Sequence, residues 1–395
     1  MSFLSYSFAL FLFGTVAAYW LAPRRVRKPL LLLASLAFYA SFHLPHALLI
    51  VAATLVVYAL SRRVQPTRPG RVPFVLGILL CIGLLGTFKY ARLLVDTVAD
   101  LGGPRLPVPE LRVPLGISFF TFEFIHYLVD VRLGRIVLPA AGNLLDFALF
   151  VLFFPTLLSG PIKRYQVFLE EGERARTFRI DYIAEGLTRM IVGLGKKLIV
   201  ADSMTAFSSR LLTPDQVTRT GLWVAMYAYA IQIYFDFAGY SDLAIGAARL
   251  FGYRVPENFD HPYLRPNLSE FWRHWHMSLS SWIRDYLFIP LGGSRAHPAR
   301  VVLNLTVVMA LCGLWHGASW NFVVWGLWHG LGLGGLRLLR RLRERVGLPP
   351  TSSSTGWQVL ATLLTFQYVS LGWVLFATPS MAAAVTAFSR MFLAG

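Results

Sequence analysis

Apolar runs recur along this chain from its first residues to about position 377, and few charges interrupt them. Of 395 residues, 56% are hydrophobic and 14% charged, against about 25% charged in a soluble domain. A chain built this way folds in lipid. Candidate spans fall at 3–22, 30–43, 46–60, 73–88, 114–131, 143–160, 186–202, 221–235, 301–316, 319–336 and 357–377. A perpendicular crossing takes ~20 residues, so the shorter runs must tilt, extend into their flanks, or stop part-way. The expected fold is an all-α integral membrane protein, a multi-spanning helical bundle of about 11 spans. Re-entrant or partly immersed helices are expected around a central cavity, with residues 1–395 forming one membrane domain. Met1 to Trp20 has no basic leader region and is expected to be a retained first helix rather than a cleaved signal peptide.

The net charge of +17 does not point to nucleic acid. Its basic residues sit in short clusters between apolar runs: Arg24-Arg25-Val26-Arg27-Lys28, Arg62-Arg63 to Arg71, Lys196-Lys197, and Arg337 to Arg345. Cytoplasmic loops have this pattern, and they also meet anionic lipid, so the bilayer is the first partner. The stretch 30–60 is interrupted at His43-Leu44-Pro45-His46, where proline disfavours helix in the residue before it. A hairpin there places the Arg24 and Arg62 clusters on one side, the cytoplasmic one, and the N-terminus outside. Two linkers are expected, at Gly102 to Pro109 and at Arg345 to Gly356. The two cysteines, Cys81 and Cys312, lie in apolar segments and support neither a disulfide nor a metal site. Cys312 precedes His316 by four residues and reads as buried and inert.

Segment 236–300 is polar and aromatic together, and is expected to be a cytoplasmic-side or re-entrant segment rather than lipid-facing helix. Within it, residues 269–293 read SEFWRHWHMSLSSWIRDYLFIPLGG. Were they one helix, Trp272, Trp275, His276 and Leu279 would share a face, and Arg273, His276 and Ser280 would overlap on the next. One aromatic wall and one of hydrogen-bond donors suit a passage for a ligand that is both anionic and apolar. The residues expected along that passage are Trp272, Arg273, Trp275, Ser278, Trp282, Arg284, Asp285, Trp315 and Asp236. Arg273, Arg284 and Lys163-Arg164 are candidate phosphate contacts. Asp236, Asp242 and Asp285 are expected to pair with these cations. An interfacial amphipathic helix, with tryptophans at the headgroups, accounts for the same pattern.

His316 sits in the apolar run Leu311 to Trp320. An ionisable group at such a place is costly and marks a functional site by default. Imidazole is the side chain best suited to proton transfer near neutrality. His329 lies thirteen residues later, about 20 Å along a straight helix, and is expected to be structural or polar lining.

The run Phe271 to Gly293, together with Gly313-Leu314-Trp315-His316-Gly317, strongly resembles the membrane-bound O-acyltransferase (MBOAT) family. Its bacterial branch of alginate O-acetylase membrane subunits and D-alanyl transfer proteins of teichoic acid synthesis is the nearest. Supporting stretches are Pro114 to Phe119, Phe154 to Ile162, Tyr234 to Asp242 and Glu257-Asn258-Phe259. The resemblance implies acyl transfer from a thioester to a hydroxyl. In it, His316 matches the family's catalytic histidine and His276 its second functional histidine. His274 departs from the basic residue common at its place, so it is not assigned to donor binding. The resemblance also implies an enzyme of the bacterial inner membrane that O-acetylates an exported polysaccharide, with no bound cofactor and acetyl-CoA as donor. Pro290-Leu291-Gly292-Gly293 resembles the acetylase subgroup. Ser159-Gly160-Pro161-Ile162 resembles the D-alanyl proteins, whose donor is an acyl carrier protein. A periplasmic transferase or polysaccharide machinery is the expected partner. A transporter for an anionic polymer or lipid-linked sugar explains the basic clusters and aromatic passage, but not the histidine motif.

Overall fold

With no water to satisfy backbone groups in lipid, a segment must close its own hydrogen bonds, and helix is what this chain forms. The computed structural model describes residues 3–64, 70–104, 106–108, 111–136, 143–347 and 354–393. Every regular element among the described residues is helical. Five helices among them are long and apolar enough to cross a membrane: Leu44–Ser61, Arg71–Asp100, Pro298–His316, Trp320–Arg345 and Thr355–Ala377. Two shorter apolar helices are Tyr6–Leu21 and Met381–Phe392. The chain is a multi-pass membrane protein, and its described residues hold fewer such helices than its eleven apolar runs. The run 143–160 breaks at Phe153 into Leu144–Leu152 and Phe154–Leu157, with Pro155 opening the second piece. Ile117–Arg132 carries buried Glu123, His126 and Asp130. Parts of both expected linkers (105, 109 and 348–353) lie outside the described residues, as do Arg68 of the second basic cluster and Met1.

The chain forms two compact units, Met1–Leu194 with Tyr240–Glu257, and Gly195–Gly239 with Asn258–Gly395. In the first, the helix Arg24–Ala40 ends before His43, and Leu44–Ser61 starts with Pro45 in its first turn, where a missing N–H costs nothing. Phenylalanine and tyrosine rings dominate the core, Phe38, Phe147, Phe150, Tyr165 and Tyr253 among them. Several buried charges in this unit are paired. Lys163 donates to Glu123 at 2.7 Å and to Thr156 at 2.8 Å. Arg189 holds Asp242 at 2.7 Å and also reaches Glu257, while Arg249 holds Glu185 at 2.6 Å.

The second unit is organised by a helical hairpin. Glycines at 326, 330 and 334 fall at every fourth position of Trp320–Arg345, so they line one face. That face lies against Pro298–His316 without room for side chains. A Cβ on Gly330 would stand 2.6 Å from Thr306 Cα, one on Gly334 2.7 Å from Val302 Cγ1, and one on Gly326 would overlap the Met309 carbonyl. Small residues at this spacing let helix backbones touch where lipid offers no hydrophobic drive. Gly326→Ala is therefore expected to destabilise the protein by about 1–3 kcal/mol. The check is the midpoint of thermal unfolding in detergent, with Gly335→Ala, which meets nothing within 4 Å, as control.

Residues 236–250 continue the 32-residue helix Arg219–Leu250, which corrects the expectation that helix ends near 235. The irregular part of 236–300 begins after Leu250. There, Leu268–His274 and Met277–Ile283 are two short helices and not one.

Candidate functional site

The site belongs to the second unit and starts with two helix breaks. His316 is the last residue of Pro298–His316, and Gly317 is extended (φ −162°, ψ 151°). The next helix begins at Trp320. Buried Asn321 secures the corner by donating to the carbonyls of Leu375 (3.2 Å) and Thr378 (2.9 Å). The His316 imidazole is walled by Trp315, Trp325 and Phe376, at ring-centroid distances of 4.7, 5.2 and 4.9 Å.

His276 stands at the second break, with a left-handed backbone (φ 44°, ψ 55°) between the two short helices. Asn258 holds this corner. Its carbonyl accepts from the Met277 amide at 2.9 Å and its side chain from Ser278 Oγ at 2.6 Å. The His276 ring is buried, 4.7 Å from the Phe237 ring and 5.8 Å from Trp315, and its Nε2 has no hydrogen-bond partner among the described residues. Trp315 thus touches both imidazoles. Burial, and secondarily His316, hold His276 well below the usual histidine range, so it is neutral near pH 7.

The expected continuous face over 269–293 does not form, because the His276 corner turns the chain. Trp275 packs instead into an aromatic core with Phe259, Phe271 and Trp373 at 5.1, 5.4 and 5.0 Å. Trp282 is buried beside Tyr286. Ser278 is buried against Asn258. Trp272, Arg273 and Arg284 line a cavity of about 450 Å³ that also includes Ser280, Met309 and Cys312. Arg273 pairs with Glu270 at 2.7 Å and Arg284 with Asp285 at 2.8 Å. The pairing expected for the other carboxylates is corrected: Asp236 pairs with Lys197 at 2.7 Å and Asp242 with Arg189. Lys163 is buried against Glu123, so it does not offer its charge to a phosphate.

His329 comes nearer to His316 than a straight helix allows, because the chain reverses at Gly317–Ser319. Both rings meet Trp325 edge-on, at 5.2 and 5.0 Å. His329 is fully buried, and neither of its nitrogens has a hydrogen-bond partner among the described residues. Trp325 escapes a reading of the sequence motifs, although its i,i+4 spacing to His329 is a usable signal.

Residues 110–378 match the model of MBOAT, the membrane-bound O-acyltransferase family. The chain belongs to this family. Among its similar relatives is a "Probable alginate O-acetylase" of Pseudomonas aeruginosa, 38% identical over 98% of this chain and 74% of the relative. A peptidoglycan O-acetyltransferase of Helicobacter pylori is 33% identical over 91% of this chain and 73% of its own. A teichoic acid D-alanyltransferase of Bacillus subtilis is 30% identical over 69% and 71%. As an MBOAT member with relatives of these activities, the protein is a membrane O-acyltransferase.

Proposed function

We propose that this acyltransferase moves an acetyl group from acetyl-CoA on the cytoplasmic side of a bacterial inner membrane to a hydroxyl on the outer side. The acceptor is an exported polysaccharide or a periplasmic partner that passes the group on. The observation that carries this reading is the pair of imidazoles on either side of Trp315, each set at a helix break by a buried asparagine. His316 takes the proton of the acceptor hydroxyl, whose oxygen attacks the thioester carbon. The C–S bond then breaks, and the thiolate of the donor leaves with the proton. His276, neutral and buried, donates to the carbonyl oxygen as it gains charge.

The cavity of about 450 Å³ supports a route for the donor. Its wall includes Cys312, one helical turn before His316, and its rim carries Arg273 and Arg284. Both guanidiniums are exposed and held by neighbouring carboxylates, an arrangement that phosphate oxygens can replace. The reaction calls on no resident cofactor.

Acetyl is favoured over D-alanyl because the acetylase relatives align over nearly the whole chain and the D-alanyl relative over about two thirds. Proteoliposomes given labelled acetyl-CoA outside and acceptor glycan inside, with the cytoplasmic face outward, provide the test. Label is expected on the enclosed glycan, directly or once the periplasmic partner is enclosed with it. Inert acetyl-CoA alongside consumption of D-alanyl carrier protein would overturn the donor, and glycan passage without acyl turnover would overturn the enzyme.

A further inference from the structure

The first unit has a cavity of about 190 Å³ at the turn that joins Arg24–Ala40 to Leu44–Ser61, its wall mostly apolar with a few nitrogen donors. Tyr39, Phe42, His43, His46, Arg112 and Leu115 line it. The two imidazoles are stacked at a tilt, 4.1 Å between ring centroids. The His46 ring lies close to the Arg112 backbone, which also lines the cavity. Tyr39 fixes the approaching strand of loop by donating to the Leu115 carbonyl at 2.7 Å. The Arg112 side chain is exposed, and Nδ1 of His43 is buried with no hydrogen-bond partner among the described residues. Among the described residues no carboxylate lines the cavity.

We propose that this pocket binds one carboxylate-bearing sugar unit of the acceptor polymer on the outer side of the membrane. The side and the acceptor rest on the proposed function; the chemistry rests on the pocket. Arg24, Arg25, Arg27 and Lys28 begin one helix of the hairpin, and Arg62-Arg63 comes after the other, so the basic ends are cytoplasmic. The pocket lies at the opposite end, about 26 Å along the helices. The Arg112 guanidinium and the His43 imidazole border a volume worth about six waters (~30 Å³ each), which suits a single ring-sized anion. Guanidinium matches carboxylate geometry, and Tyr39 and Phe42 contribute aromatic surface to the wall, which suits the C–H side of a sugar. A headgroup layer needs no such concavity, because cations on a convex rim reach lipid phosphates by snorkelling.

The test is binding of a uronate tetrasaccharide to the full chain in nanodiscs of zwitterionic lipid, beside its carboxyl-reduced neutral counterpart. The charged sugar is expected to bind about tenfold tighter. Arg112→Gln and His43→Gln should each abolish most of that preference, with gel filtration and thermal melting reporting the fold. Arg92→Gln, which alters an exposed charge paired with Asp96, should leave it intact. Equal binding of the two sugars, or a preference that survives both pocket substitutions, overturns the proposal. So does complete displacement of the sugar by phosphatidylglycerol, which would assign the pocket to lipid. No turnover is needed, so the outcome stands apart from any failure of acetyl transfer.

Discussion

Replacing His316 with alanine is expected to lower acyl transfer by about 100- to 10,000-fold, the range that general base catalysis supplies. The loss should fall on kcat, because the imidazole is needed when the hydroxyl loses its proton and not when the donor binds. The fold should survive. The ring meets Trp315, Trp325 and Phe376 edge-on, while the corner itself is held by Asn321 and by extended Gly317. Initial rates with labelled thioester, beside the melting midpoint of the same preparation, separate the two effects. A loss below tenfold would place the base elsewhere, and His276 would be the next imidazole to test.

Lys163→Met is expected to cost about 3–5 kcal/mol of stability, through a different mechanism. Lys163 and Glu123 are both almost wholly buried, and the lysine sits among the rings of Phe150, Phe153 and Phe168. Taking away the ammonium leaves a carboxylate in an apolar core with one partner fewer. Restoring neutrality with Glu123→Leu in the same chain should recover most of the loss, because a buried pair and an apolar pair of similar volume are nearly equivalent. The double-mutant cycle, read as folded protein surviving a heat step, checks this. If the single variant melts with the wild type, the pair is not buried in the way described.

That pair also marks where sequence reading stops. Lys163-Arg164 are cations in a family-like stretch, and a phosphate is the natural partner to expect. The true partner, Glu123, lies 40 residues earlier, on a helix whose apolar average masks it. Local pattern carries no information about such pairing. The hairpin is easier to anticipate. Its two apolar runs, the glycine between them and the histidine at the break are all adjacent in sequence, and the structure places His316 at that break. The corner at His276 is not legible. Residues 269–283 have helical composition throughout, and it is Asn258, from a distant loop, that takes over the backbone donor of Met277 and turns the chain. Trp275, Ser278 and Trp282 line a passage only if one helical face runs unbroken, and they pack inward once that face is broken. Span counting meets a different limit. Runs such as 114–131 and 143–160 bury most of their side chains against the rest of the protein, and hydropathy does not distinguish a buried core from lipid.

The backbone at residue 276 bears on how this protein can be improved. Left-handed geometry disfavours a histidine relative to glycine by about 1–2 kcal/mol, and here the disfavoured residue carries one of the two imidazoles. Directed evolution for heat tolerance alone would press toward glycine or asparagine at this bend. Robust variants that lack the His276 imidazole are the natural product of such a screen, so one aimed at industrial durability has to score turnover in the same round.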